Sequence, residues 1–468
     1  MSKIIKKVVN TAKKLVKKVV KTVVKVVKSV VNTVVGTVKA ITGMGTPKVD
    51  VPDFEAAGSQ GILINKQGSS VALPVIYGTT RTGGAQVFIK TSGTDNSNLD
   101  IVFAICEGEI DAIQKVYFDG AEVASTTGSG SKDPSNFTMV SPYTTSNSQI
   151  YFRPGTDSQT AIGQLAGLES GWNPRFQGVA YVYIRLVYDS EVWKNGMPTI
   201  TFDVKGKKVP ATSDGTTLGY SDNPARCILD YLTNSRYGKG IAVADIDLPS
   251  FQSAETYFTS KSFHCRGNLD TNVKLYDNMI DLFSCCASYL TFGNKYRILP
   301  EKAESTIQMT LDDSNTIGDV VYFLGDKANM LNRVKIKFMD EATEYRDNIK
   351  ILESSTLKTN DNDLTLESEI FLPFTKTLSV AQQLGTEILN QTRQSHTISL
   401  TATIAAVNLQ VGDLVQVTNS TFNITNKQFR VRETTLLPSS EVELLLQEYD
   451  ADVYGSSIIT DYKDDNND

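Results

Sequence analysis

Apolar and polar residues follow two different rhythms along this chain. Near the start, Ile4, Val8, Ala12, Leu15, Val19, Val23, Val26, Val30 and Val34 are spaced at steps of four, four and three. The segment repeats every eleven residues: KKVVNTAKKLV at 6–16, KKVVKTVVKVV at 17–27 and KSVVNTVVGTV at 28–38. Eleven residues over three turns, about 3.67 per turn, hold such a stripe along one side of a nearly straight helix. Lys3, Lys6, Lys7, Lys14, Lys17, Lys18, Lys21, Lys25 and Lys28 crowd the other side, so residues 1–45 are predicted to form an amphipathic helix. Gly36, Gly43, Gly45 and Pro47 end it. Valine is a mediocre helix former, so this helix needs a surface to pack against.

From about Val71 the period changes to two. Val87–Ile89, Asp100–Ile105, Gln114–Phe118, Val179–Tyr188 and Thr199–Val204 are predicted strands, separated by clusters of Gly, Ser, Asn and Pro. Composition makes Ser125–Asn136 a flexible loop. Between Asp222 and about Ile298 the texture becomes helical. Asn223-Pro224 opens one helix bearing Ile228, Leu229 and Leu232 on one face, and Val273–Ala287 forms another containing Cys285 and Cys286. A strand pair follows at Tyr289–Phe292 and Tyr296–Leu299. Beyond Pro300 a strand at Arg333–Phe338 and a short helix at Val380–Thr392 precede four strands: Thr397–Ile404, Asp413–Thr418, Gln428–Thr434 and Glu441–Glu448. The pattern is α+β, mainly β, and multidomain.

Charge sharpens this division. The 468 residues carry a net charge of −6, yet Met1 to Val49 holds twelve lysines and no acidic residue. The rest sets 34 basic residues against 52 acidic ones, or −18. Such a body is a poor match for phosphate along its outer surface. The arm is therefore the segment suited to an anionic membrane, to nucleic acid, to an acidic protein, or to self-association along its apolar seam. Five scattered cysteines suggest folding in a reducing compartment. Lysine repeatedly interrupts the apolar pairs of the arm, so neither a spanning helix nor a secretory signal is expected.

Residues for chemistry are sparse. Neither His264 nor His396 sits in a nucleophile arrangement, and the chain has no P-loop lysine motif and no H-E-x-x-H. His264, Cys265, Cys285 and Cys286 are the best metal candidates, but adjacent cysteines chelate a single ion poorly. The pairs Glu107/Glu109 and Asp312/Asp313 read as solvated loop ends. The expectation is a protein with no catalytic residue, no metal and no cofactor.

Several blocks resemble the tail-tip attachment protein and baseplate-hub family of siphophages. They are Leu73-Pro74-Val75-Ile76-Tyr77-Gly78 with Arg81 and Gly83-Gly84, and Cys106-Glu107-Gly108-Glu109-Ile110. Gly178-Val179-Ala180-Tyr181, Gly196-Met197-Pro198-Thr199-Ile200 and Val204-Lys205-Gly206 continue the series. Asn223-Pro224-Ala225, Leu229-Asp230-Tyr231-Leu232-Thr233-Asn234 and Arg236-Tyr237-Gly238 follow. Asn332-Arg333-Val334, Gly412-Asp413-Leu414-Val415, Glu448-Tyr449-Asp450 and Val453-Tyr454 complete it.

The resemblance implies a homotrimeric tail-tip hub in the virion, at the distal end of the tail, made in the host cytoplasm. Tail-tube-like β-barrel domains and an α+β insert would continue and close the tube and take part in genome delivery. The expected units are the arm (1–45), a linker (46–70), a first hub β domain (71–210), an α+β domain (211–305), a second tube-like β domain (306–455) with a helix at about 380–392, and an acidic tail (456–468). The implied partners are distal tail or tube proteins, the tape measure protein, and fibre or receptor-binding proteins. Receptor binding is expected to reside in another protein, because fibre domains do not follow the hub. The arm lies outside the resemblance. Its lysines listed above are the expected contact with lumen DNA, a partner or membrane. Ile4, Val8, Leu15, Val19, Val23, Val26, Val30 and Val34 are its expected packing face. A membrane-penetrating component acting through this arm is the alternative function.

Overall fold

A computed structural model describes residues 66–67, 72–193, 196–325, 329–455, 459 and 462–464. The lysine–valine arm, with every site residue expected on it, lies outside the described residues, as does most of the acidic tail.

The alternating segments form a two-sheet sandwich. The strands of this part of the chain are β1 (Lys66–Gln67), β2 (Val75–Tyr77), β3 (Thr79–Thr82), β4 (Ala85–Ser92), β5 (Asn98–Glu107), β6 (Ile110–Phe118), β7 (Ala121–Ser125), β8 (Thr138–Met139), β9 (Ser148–Arg153), β10 (Val179–Val187), β11 (Ile200–Pro210) and β12 (Leu218–Tyr220), of which β2 lies outside both sheets and pairs with Gly267–Leu269. One sheet runs β1-β4-β5-β10-β9; the other runs β12-β11-β6-β7-β8, with β3 against β11. Ile101, Phe103 and Ile105 of β5 point inward at every second position and meet Phe202 and Val204 of β11 in one core, as a strand with two distinct faces requires. Ser125–Asn136 is more constrained than its composition suggests. The Lys132 Nζ donates to the carbonyls of Thr127 and Ser129, and the Lys132 backbone pairs with Phe152.

The middle of the chain supplies helices α1 (Pro224–Thr233), α2 (Leu248–Lys261) and α3 (Leu275–Ser284) with strands β13 (Gly267–Leu269), β14 (Ser288–Phe292) and β15 (Tyr296–Pro300). The Asn223 side chain accepts the Ala225 N–H, so this residue caps α1 and Pro224 occupies its first turn. The sequence pattern did not isolate α2; its buried Phe251, Ala254 and Phe258 lie at steps of three and four. Helix α3 ends at Ser284, so Cys285 is its C-cap and Cys286 follows it, a correction to the longer helix expected from Val273 to Ala287.

The rest of the chain divides between two sheets. Strands β16 (Ile307–Leu311), β17 (Thr316–Phe323), β21 (Thr397–Ala402), β22 (Leu414–Asn419), β23 (Ile424–Leu436) and β24 (Val442–Glu448) form a half-barrel in the order β16-β22-β23-β24-β21-β17. Its two edge strands are consecutive in the chain and joined by residues 312–315, so the edges meet at that end. The second sheet orders β20 (Glu367–Leu372), β18 (Arg333–Asp340), β19 (Arg346–Glu353) and β25 (Tyr462–Asp464). Helix α4 (Leu378–Gln391) buries Val380, Leu384 and Ile388, and it shares one core with β18, β20, α1 and α2. Residues 306–455 therefore feed the half-barrel's own core, this central one and a smaller cluster of Leu414, Tyr449, Val453 and Tyr454. The molecule is α+β and mainly β.

Candidate functional site

The residues that carry chemistry gather at joints between these packed units. The first joint ties the sandwich to α1. Tyr77 of β2 and Tyr237, just beyond α1, both donate their hydroxyls to the same Asp230 oxygen, at 2.7 and 2.6 Å. Asp230 lies in α1 with neighbours buried all around it, and burial raises its carboxyl above the usual range while Lys207 of β11 draws it back. The Lys207 ammonium stands 5.3 Å from the Tyr237 ring centroid. Beside it, Arg236 pairs with Glu107 at 2.7 Å. Glu107 is buried, contrary to its expectation as a solvated loop end, whereas Glu109 pairs with a partly exposed Lys208 at 2.6 Å.

Two close backbone approaches accompany this joint. Gly78 has φ +61°, and a Cβ there would come within 2.5 Å of the Cys265 carbonyl. Gly206 passes the Ile76 and Gly78 carbonyls so closely that no side chain fits.

The second joint fastens the central region through Asp222. Its carboxylate lies 2.9 Å from Arg266 and 3.2 Å from His264. Burial opposes its ionisation, but His264 and Arg266 hold the carboxyl down at about 2. Arg266 also reaches Glu341, at 2.9 Å, beyond the end of β18. His264 is thus engaged with a carboxylate. Cys227, Cys265, Cys285 and Cys286 are buried free thiols of the central core, where they pack as small apolar groups. Among the described residues no group of three or more His, Cys, Asp or Glu is placed to hold a metal.

The third joint seats the half-barrel. Arg430 and Arg432 share one face of β23 at a spacing of two, and each donates to one Glu301 oxygen at 2.6 Å. The Tyr454 hydroxyl adds a third bond to Glu301 at 2.7 Å. Burial would raise the Glu301 carboxyl, but Arg432 and Arg430 hold it at about 2. A fourth cluster lies in the central region. Arg393 grips Asp361 through two nitrogens at 3.1 and 2.6 Å, while the Asn332 amide donates to Asp361 at 2.8 Å. A cleft of about 600 Å³ runs between the β14–β15 tip and residues 409–411, and Asp247 and Arg297 line it as an ion pair 3.1 Å apart.

Seven of the twelve blocks quoted for the family resemblance supply residues to these clusters: Tyr77-Gly78, Glu107, Gly206, Asp230, Arg236-Tyr237, Asn332 and Tyr454. Sequence reasoning missed Lys207, Glu301, Arg430, Arg432 and Asp361. The signal that could have found three of them is charge inside a strand or against an apolar run: Lys207 within β11, and Arg430 and Arg432 around Val431.

These joints fasten the packed units of one chain to each other through buried charge and close backbone contact. Residues 283–434 match the family described as putative phage tail protein. Over 459 residues the chain is 23% identical to the baseplate hub protein pb3 of Escherichia phage T5, in a match covering 82% of this chain and 48% of that protein. The chain thus spans about half the length of this curated relative. In fold it is similar to a chain from the virion of the native gene transfer agent particle, with TM-score 0.63 and 15% identity over 93% of this chain and 97% of that one. The resemblance to baseplate-hub proteins holds in sequence, and the proteins matched are virion and tail components rather than enzymes.

Proposed function

We propose that this chain is the structural hub of a tail tip, a virion protein at the distal end of the tail. The observation that carries the reading is the ordered similarity to a baseplate hub protein along most of the chain, joined to a fold match covering nearly all of it. Three copies form the hub, continue and close the tail tube, and take part in genome delivery. The sandwich (71–210), the α+β region (211–305) and the segment 306–455 act as its units, with distal tail, tape measure and fibre proteins as neighbours. The half-barrel, whose two edges diverge from a single turn, is the element suited to prolonging a tube wall. Lys3, Lys6, Lys7, Lys14, Lys17, Lys18, Lys21, Lys25 and Lys28 supply the contact with DNA or a tail partner in the lumen. Ile4, Val8, Leu15, Val19, Val23, Val26, Val30 and Val34 supply the packing face.

Native mass measurement of the purified chain tests the oligomeric state. A trimer is expected, and a stable dimer or tetramer would contradict it. Among the described residues no helix is long and apolar enough to cross a membrane.

A further inference from the structure

Helix α3 carries an exposed edge at Leu275, Tyr276 and Asp277, flanked by half-buried Ile280 and Asp281. Tyr276 and Ile280 stand one turn apart beside Asp277 and Asp281, so two parallel rows, one apolar and one acidic, run along the helix. Tyr276 is 68% exposed and the preceding Leu275 43%. Neither they nor Ile280 joins any core. The two carboxylates have no ion-pair partner among the described residues, although Lys274 directly precedes the helix. They crowd each other as well: burial and the neighbouring Asp277 push the Asp281 carboxyl up to about 6. A like-charged pair one turn apart, with one member near the helix C-terminus, is unfavourable in isolation and calls for a cation.

The chain first pairs with β4 through β1 and then passes beside this helix. The Leu73 carbonyl accepts the Thr271 hydroxyl at 3.0 Å, and Val75 of β2 lies opposite Leu269 of β13, a few residues before α3. The arm outside the described residues has the complementary pattern. Lys14 and Lys18 stand one turn apart, directly before Leu15 and Val19, with no acidic residue before Asp50. Between residue 45 and Lys66 lie twenty residues of tether, able to span up to roughly 65 Å.

We propose that the chain's own arm, residues 1–45, docks on the outer face of α3, with its apolar stripe against Tyr276 and Ile280 and its lysines against Asp277 and Asp281. Covalent tethering gives the arm a high effective concentration at this face, so a modest contact suffices. The docking does not depend on the hub reading and is tested separately from it.

Zero-length carbodiimide cross-linking of the full chain, read by peptide mass spectrometry, should join arm lysines to Asp277 or Asp281. The links should vanish in D277N/D281N. Tryptic cleavage within the arm should run about tenfold faster in D277K/D281K than in the parent, the effect of two weak ion pairs turned repulsive. Equal cleavage rates, or arm lysines linked only to other carboxylates, would overturn the proposal. In a mixture of isotopically heavy and light chains, the links should stay within one chain. Heavy-to-light links would overturn it in favour of a neighbouring copy's arm.

Discussion

Glu301 and Arg430 stand 129 positions apart in the chain and meet at 2.6 Å, with side chains 1% and 3% exposed. A carboxylate so deeply buried is tolerated because two guanidinium groups and a tyrosine hydroxyl satisfy its oxygens. Removing it leaves Arg430 and Arg432 facing each other without compensation. Glu301→Ala is therefore expected to lower stability by about 3 kcal/mol, seen as a drop in the urea midpoint. An unchanged midpoint would show that the half-barrel is seated by its apolar contacts alone.

The same carboxyl sets an acid limit. Its folded value of about 2 lies below the ordinary 4.5, so its contribution is fully present above pH 4.5 and is lost as pH falls toward 2. Unfolding free energies measured across that window should fall more steeply for the parent than for Glu301→Gln. Parallel curves would refute the assignment.

Lys376 acts in the opposite sense. Its Nζ is buried and donates to the Pro373 carbonyl at 2.9 Å, and burial lowers it from 10.5 to about 7 against the smaller pull of Cys265 and Asp347. Between those two values the unfolded chain binds the extra proton, so stability rises with pH across the interval. Lys376→Met should stabilise the protein at pH 6, and its advantage should shrink by about 2 kcal/mol by pH 9. A gain independent of pH would mean that the ammonium is solvated in the folded state.

At the joint between sandwich and helices, Tyr77→Phe and Tyr237→Phe each remove a hydrogen bond to the Asp230 carboxylate. Each is expected to cost about 2 kcal/mol. Because both hydroxyls serve one oxygen, the double variant should depart from additivity. Strict additivity would argue that the two bonds are independent.

Gly206→Ala tests the close backbone approach. A methyl group there collides with the Ile76 carbonyl, and overpacking against backbone that has little room to move is expected to cost about 2 kcal/mol or more. Gly120→Ala meets nothing within 4 Å and should show only the penalty of its positive φ. Similar losses for the two variants would contradict the packing argument.

The elements were legible in the sequence wherever a period or an apolar run was sustained. Strands β5 and β10 are apolar runs rich in β-branched and aromatic residues and bounded by turn residues, and α1 and α4 have apolar steps of three and four. Helix α2 escaped because polar residues separate its few buried positions. The joints escaped for a different reason. Asp230 and Tyr77 lie 153 positions apart, and no local pattern states which buried charge meets which. Glu301, beside Pro300 and Lys302, looks like an exposed turn until β23 brings two arginines to it. The motifs of the resemblance marked most of the joints without revealing their chemistry.

The central claim is that this chain forms a threefold hub at the end of a tail. Electron cryomicroscopy of the intact particle tests it most directly. Density at the distal tip fitted by three copies of this fold around the tail axis is the expected result. Density for the fold elsewhere on the particle, or in a number other than three at the tip, would contradict it.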